Sequence, residues 1–203
     1  LRLSSEKPFP ELSSVNMKIE GGGERLAHLL ERGVALAIEL ERLERLGIWV
    51  STWADPDYPQ RLKERLGVKA PPVLFGSGDK ALIWQSGQRS LAVAGSRNAD
   101  ACYLQIAKQV GEICGQLGWV LCSGGARGVD REATFSALLA HGFAVSVLAH
   151  SLEQSIRDPQ ARHYIVEGHL ALITPYRPDA PFSVGNAMGR NKLIYALADY
   201  ALV

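Results

Sequence analysis

Apolar positions recur along this chain in two rhythms, and their alternation predicts the architecture. Over 24–46, Leu26, Leu29, Leu30, Leu36, Ala37, Leu40, Leu43 and Leu46 return at steps of three and four, the spacing of one helix face. Gly33 offers a break within that stretch and Gly47 a C-cap after it. The second rhythm is the short, mainly apolar run, found at 48–53, 73–75, 91–94, 119–122, 144–149, 170–174 and from 200 onward, interrupted only by Ser51, Thr52, Ser146 and Thr174. Runs without polar alternation are strands covered on two faces. Between them lie helical periodicities at 99–117, 131–140, 159–167 and 184–198. In the first of these, Tyr103, Ile106, Ala107, Val110, Ile113, Cys114 and Leu117 share a face. Asp55-Pro56-Asp57-Tyr58-Pro59 reads as a turn opening a short helix, where Pro59 is tolerated in the first turn.

Strands and helices in alternation indicate an α/β fold with a doubly wound, mainly parallel sheet, preceded by a small helical segment. Residues 1–46 are expected to be part of an N-terminal helical region, and 47–203 the α/β domain. Within the first region, 1–23 carries prolines, serines and Gly21-Gly22-Gly23 and reads as an irregular lead-in. Leu1 is no ordinary start, and an apolar strand runs to the last residue, Val203. The expectation is therefore a piece of a longer chain, incomplete at its C-terminal side.

Ligands of such sheets bind at the carboxyl ends of the strands. Those ends carry Gly95-Ser96-Arg97-Asn98, Ser123-Gly124-Gly125-Ala126-Arg127-Gly128-Val129-Asp130, His150-Ser151 and Thr174-Pro175-Tyr176. A glycine turn between strand and helix lets backbone N–H groups approach a phosphate at the positive end of the helix dipole. Arg97 and Arg127 add charged forks. Two such turns suggest a ligand with several phosphates, or a nucleic-acid backbone. The plainer readings are a tight connection with a surface arginine at Arg97, and a glycine turn whose helix start is stabilised by Asp130. Asp130 is also expected to support the loop by accepting its N–H groups. A third constellation is Asn186 and Arg190, helical neighbours at i and i+4, with Asn191 and Lys192 beside them. Leu193 and Leu197 carry the same stripe into apolar territory, so a polar helix start leads into a core half.

Composition narrows the chemistry. Of 203 residues, 47% are hydrophobic and 21% charged, ordinary values for a globular chain. A net charge of +1 means that phosphate binding rests on local groups rather than on the whole-protein field. No apolar run has the length of a membrane span and no secretory leader opens the chain, so a cytoplasmic protein without a membrane partner is expected. The three cysteines, Cys102, Cys114 and Cys122, have no metal-ligand spacing and read as reduced core residues. No G-x-G-x-x-G or G-K-[ST] is present, which disfavours nicotinamide and ATP chemistry, and no cofactor is expected. No carboxylate pair, Ser/His/Asp set or metal cluster stands out. His150 is the best-placed histidine but reads as a solvent-facing loop residue. Tyr176, Phe182 and Tyr195 read either as packing residues or as a stacking surface for bases.

These motifs, in this order and spacing, resemble the DNA-processing protein A family, also called DprA or Smf. The resemblance runs from about Gly47 to the last residue, through Asp57-Tyr58-Pro59, Pro71-Pro72-Val73-Leu74-Phe75, Ala94-Gly95-Ser96-Arg97, Ser123 to Asp130, Gly142, Val147-Leu148 and Gly189-Arg190-Asn191-Lys192. It implies an extended Rossmann-like domain that binds single-stranded DNA, assists a RecA-type recombinase in natural transformation or recombination, and forms a homodimer. Ser96, Arg97, Ser123, Gly124, Arg127, Gly128, Arg190, Asn191 and Lys192 would then line a basic pocket. The chain departs from the family pattern at Thr134, where histidine is usual, at Thr174-Pro175-Tyr176, and at Ser183 to Met188. The lonely-guy phosphoribohydrolases share the strand, glycine turn and helix arrangement. Their resemblance implies an alternative, a nucleotide-binding enzyme or sensor.

Overall fold

The structure is a computed structural model that describes residues 31–84 and 87–203. The chain divides into two compact units, Leu1–Leu43 and Glu44–Val203. Helix α1, Gly33–Arg45, starts at the glycine read as a break. Of the helical pattern expected over 24–46, residues 24–30 lie outside the described residues.

The second unit is built on a seven-stranded sheet. Its elements in chain order are β1 (Trp49–Thr52), α2 (Gln60–Leu66), β2 (Val73–Ser77), α3 (Ala81–Trp84), β3 (Ser90–Val93), α4 (Ala101–Gln116), β4 (Val120–Ser123), α5 (Val129–Leu139), β5 (Phe143–Val147), α6 (Leu152–Ser155), α7 (Pro159–Val166), β6 (Leu170–Thr174), α8 (Val184–Leu197) and β7 (Tyr200–Leu202). The sheet order is β1-β2-β6-β5-β4-β3-β7, with all pairs from β6 to β7 parallel. Chain order runs outward from β3 in one direction to β6 and in the other to β7, which makes the fold doubly wound. The short helices α3 and α6 carried no sequence signal of their own. Nor did the placement of β1 and β2, which extend the sheet beyond β6 as antiparallel strands.

Every residue of β4 and β6 is buried, the physical reason that both are apolar up to their last residues, Ser123 and Thr174. On one face, Tyr58, Leu62, Leu82, Ile83, Leu193 and Ile194 cover Val120, Val145 and Ile173. On the other, α4 and α5 place Ala107, Cys114, Ala133 and Ala137 over Val93 and Leu121. There the helices meet at backbone distance. A side chain on Gly115 would stand 2.7 Å from the Ala140 Cβ, and one on Gly111 would overlap the Ala133 carbonyl.

The C-terminal end of α8 is held from α2. Arg61 donates to the Leu197 carbonyl at 3.0 Å and Arg65 to that of Ala196 at 3.1 Å, placing positive charge where the helix dipole is negative. Asp199 completes the group, 3.2 Å from Arg61 and accepting from the Ser90 N–H at 3.0 Å.

Candidate functional site

Strands β3 and β4 are parallel neighbours, with Ala92 opposite Cys122, so their following turns leave the sheet side by side. Asp130, in the first turn of α5 and only 5% exposed, joins them. Its carboxylate accepts the Gly95 N–H at 3.2 Å and the Gly124 N–H at 3.0 Å. A second lace runs from the Val129 N–H to the Ser96 carbonyl at 3.2 Å. Gly128 sits between the turns at φ +80°, with its α-carbon so close to the Ser96 and Arg97 carbonyls that a side chain has no room. Burial pushes the Asp130 carboxyl up from its ordinary range, while the Gly95 N–H, the Arg190 guanidinium and the Gly124 N–H pull it back.

Arg190 reaches this junction from α8 and is 4% exposed. Its Nη2 donates to the Gly124 carbonyl at 3.0 Å, and its Nε is buried without a hydrogen-bond partner. The guanidinium fills the volume that a Gly124 side chain would take. Burial lowers its pKa, the Asp130 charge raises it and Arg97 lowers it again. Arg190 therefore lies under the second turn, whereas the sequence placed it on a pocket wall.

Ser123 is likewise enclosed. It is 0% exposed, shares a 2.9 Å hydrogen bond with the Thr134 hydroxyl, and accepts the Gly125 N–H at 3.2 Å. The N–H groups of Gly95, Gly124 and Gly125 are thus all given to acceptors inside the protein. Thr134, which stands where the family pattern has histidine, completes this buried set. The sequence reading missed that role, although Thr134 lies four residues after Asp130 on the inward face of α5.

Lys192 is directed elsewhere, its Nζ donating to the Lys69 carbonyl at 2.9 Å in the turn after α2. Asn191 is half-buried beside it. Asn186 accepts the Tyr176 hydroxyl at its carbonyl (2.9 Å) and gives its N–H to Ser183 at 3.0 Å, so both hold the start of α8. His150 is half-buried, not solvent-facing, and shares a 3.1 Å hydrogen bond with Ser155. Burial and then the Arg190 charge hold its pKa below the usual value.

What remains on the surface is a compact set of donors. Ser96, Arg97, Asn98 and Arg127 are exposed. The Arg97 guanidinium lies 4.6 Å from the centre of the Phe182 ring, itself 46% exposed. Among the described residues, Arg127 has no acidic partner, and the N–H groups of Ser96, Arg97, Arg127 and Gly128 meet no acceptor. Two cations and several unpaired N–H groups at one sheet edge form an anion-accepting surface. Among the described residues, no group of three His, Cys, Asp or Glu could hold a metal ion, and no helix is long and apolar enough to cross a membrane.

Fold and site together define a doubly wound α/β protein whose candidate ligand face is the carboxyl edge at β3 and β4. The family model for DNA recombination-mediator protein A matches residues 49–203, and the chain belongs to that family. It is 28% identical over 141 residues to DNA processing protein DprA of Bacillus subtilis, covering 66% of this chain and 44% of that protein. The chain thus spans less than half the length of that curated relative. Two solved structures share the fold. That of DNA processing protein A from Streptococcus pneumoniae has a TM-score of 0.62 at 21% identity, over 79% of this chain and 56% of its own. That from Helicobacter pylori, described for its single-stranded DNA binding mode, has a TM-score of 0.58 at 24% identity, over 75% and 67%.

Proposed function

We propose that residues 47–203 bind single-stranded DNA, with Arg97, Arg127 and the neighbouring N–H groups of Ser96 and Gly128 taking successive phosphates. Residues 1–46, among them helix α1, precede this domain in the chain. In this reading the protein is a cytoplasmic, non-enzymatic homodimer that assists a RecA-type recombinase during DNA uptake or recombination. The observation that carries it is the pair of exposed arginines on two turns laced together by Asp130, at adjacent strand ends. Family membership and the DNA binding described for the Helicobacter relative support the same choice. Phe182, beneath Arg97, adds an exposed ring on which a base can stack.

The test is fluorescence anisotropy with an oligothymidine strand across a salt series. Removing one cation that meets a phosphate lowers the slope of log K against log salt by about 0.7 for a single strand. Arg97→Ala and Arg127→Ala are each expected to lower it by about that much, and Lys192→Ala to leave it unchanged. Absence of binding at low salt refutes the proposal. Turnover of adenosine monophosphate would replace it with the phosphoribohydrolase reading.

A further inference from the structure

Helix α4 carries two apolar faces, and the fold buries one of them. Ala107, Gly111, Cys114 and Gly115 are buried against α5 and the sheet. The second face is Tyr103, Ile106, Val110, Ile113 and Leu117, returning at steps of three, four, three and four. That alternation is the seam along which one helix takes the knobs of another. Val110 is half-buried, while Tyr103, Ile106, Ile113 and Leu117 are 61%, 46%, 53% and 60% exposed. An apolar stripe left in water along the whole helix marks an interaction surface.

The winding of the chain leaves this seam open. α4 joins β3 to β4 on one face of the sheet, and α8 joins β6 to β7 on the other. Right-handed crossovers made in one direction along a sheet keep to one face. A connection outward past β7 would continue the direction from β6 to β7, and so belongs on the α8 face.

The stripe is complementary to itself. Tyr103 lies seven residues before Val110 and Leu117 seven after, with Ile106 four before and Ile113 three after. Laid antiparallel on a second copy, across a twofold axis at Val110, it sets Tyr103 against Leu117 of the second copy and Ile106 against Ile113 of the second copy. That is the pairing of an isologous dimer. The solvent-side flank of the seam is Cys102, Gln109 and Gln116, all exposed and uncharged, so no like charges meet across the axis. The charged residues of the helix, Lys108 and Glu112, lie on its far side, where Lys108 pairs with Glu132 of α5 at 3.5 Å.

We propose that this seam is a dimer interface, occupied by α4 of a second copy of the chain in antiparallel orientation. The inference deepens the homodimer reading above and rests on it. Because α4 follows the turn that carries Arg97, the pairing puts the two Arg97 turns at opposite ends of the helix pair. A helix of 16 residues is about 24 Å long, roughly the distance that a strand held by both copies has to span.

The test is sedimentation equilibrium of the full chain over a concentration series, in which wild type is expected to be a dimer. Ile106→Glu combined with Ile113→Glu is expected to raise the dissociation constant by at least about thirtyfold, the weight of one interface hot spot. Both positions are exposed, so the circular dichroism should stay that of wild type. Val166→Glu, at an exposed apolar site on α7, should leave the dimer intact. A short bismaleimide reads the orientation. Gln109→Cys should cross-link two copies in a Cys102→Ser background, and Gln116→Cys only where Cys102 is retained. A monomeric wild type refutes the homodimer reading and the seam with it. A dimer that the paired glutamates leave intact, or that forms none of these cross-links, overturns the seam while the homodimer stands. If the glutamates unfold the chain, the cross-links decide alone.

Discussion

Gly124→Ala perturbs the junction beneath the second turn at a single atom. The added methyl group falls on the Arg190 guanidinium, so the arginine must move. Moving it breaks the 3.0 Å bond to the Gly124 carbonyl and draws its charge away from Asp130. A hydrogen bond to a charged group contributes roughly 1.5–3 kcal/mol. Arg190 is buried and its Nε already lacks a partner, so a displaced guanidinium finds no replacement. We expect a loss of about 2–3 kcal/mol in urea denaturation, and a Tm lower by roughly 4–12 °C for a domain of this size. The decisive measurement is the same substitution in an Arg190→Met background. There the methyl group has room, and the second loss should shrink to under about 1 kcal/mol, a coupling expected of residues in contact. Equal losses in the two backgrounds would refute the claim that Gly124 is glycine because of Arg190.

The buried carboxyl, the second ionic cluster and the thiols give further tests. Because burial holds the Asp130 pKa above its ordinary 3.8, the folded state keeps this proton more tightly than the unfolded chain, so this group's contribution to stability rises as pH falls through the raised value. A phosphate nearby favours the protonated form, so oligonucleotide affinity should also rise over that range, and Asp130→Asn should flatten the pH profile. At Asp199, burial acts upward but is outweighed by Ser90 and Arg61, and the pKa is lowered below 3.8. Its contribution is present above the unfolded value and lost as pH falls through the folded one. Asp199→Asn should therefore cost roughly 1 kcal/mol at neutral pH, with the difference from wild type vanishing in acid denaturation. Burial raises the Cys122 thiol to about 12 and that of Cys114 to about 11, while Cys102 is exposed. A thiol reagent should titrate Cys102 alone in the native protein and all three cysteines after unfolding.

The parts of this fold legible in the sequence are those whose signal is local. β4 and β6 announced themselves because burial on two faces favours apolar residues on both sides of a strand, interrupted here only at the terminal Ser123 and Thr174. The turns did so because a strand, glycines and a helix start follow one another within a few residues. The antiparallel docking of β2 on β6 was not legible, since Phe75 meets Thr174 across a separation that no local pattern spans. Side-chain direction was only partly legible. Arg190 shares a helical stripe with the buried Leu193 and Leu197, which points it inward, yet arginine as a residue type suggested a surface role. Lys192 reached the Lys69 carbonyl through the packing of α8 against α2, a tertiary fact with no trace in its neighbours.

The backbone-to-backbone contact of α4 and α5 at Gly111 and Gly115 has a bearing on what a ligand meets. Each helix continues directly from one of the two turns, so the spacing between Arg97 and Arg127 is set before any strand arrives. A helix pair this close has no slack for sliding. Under the proposed DNA-binding reading, the loss of freedom on binding then falls almost wholly on the DNA strand, whose sugar–phosphate torsions settle to the protein's spacing. A strand already curved to that spacing, for instance within a small circle, should dissociate more slowly than a linear one of identical sequence.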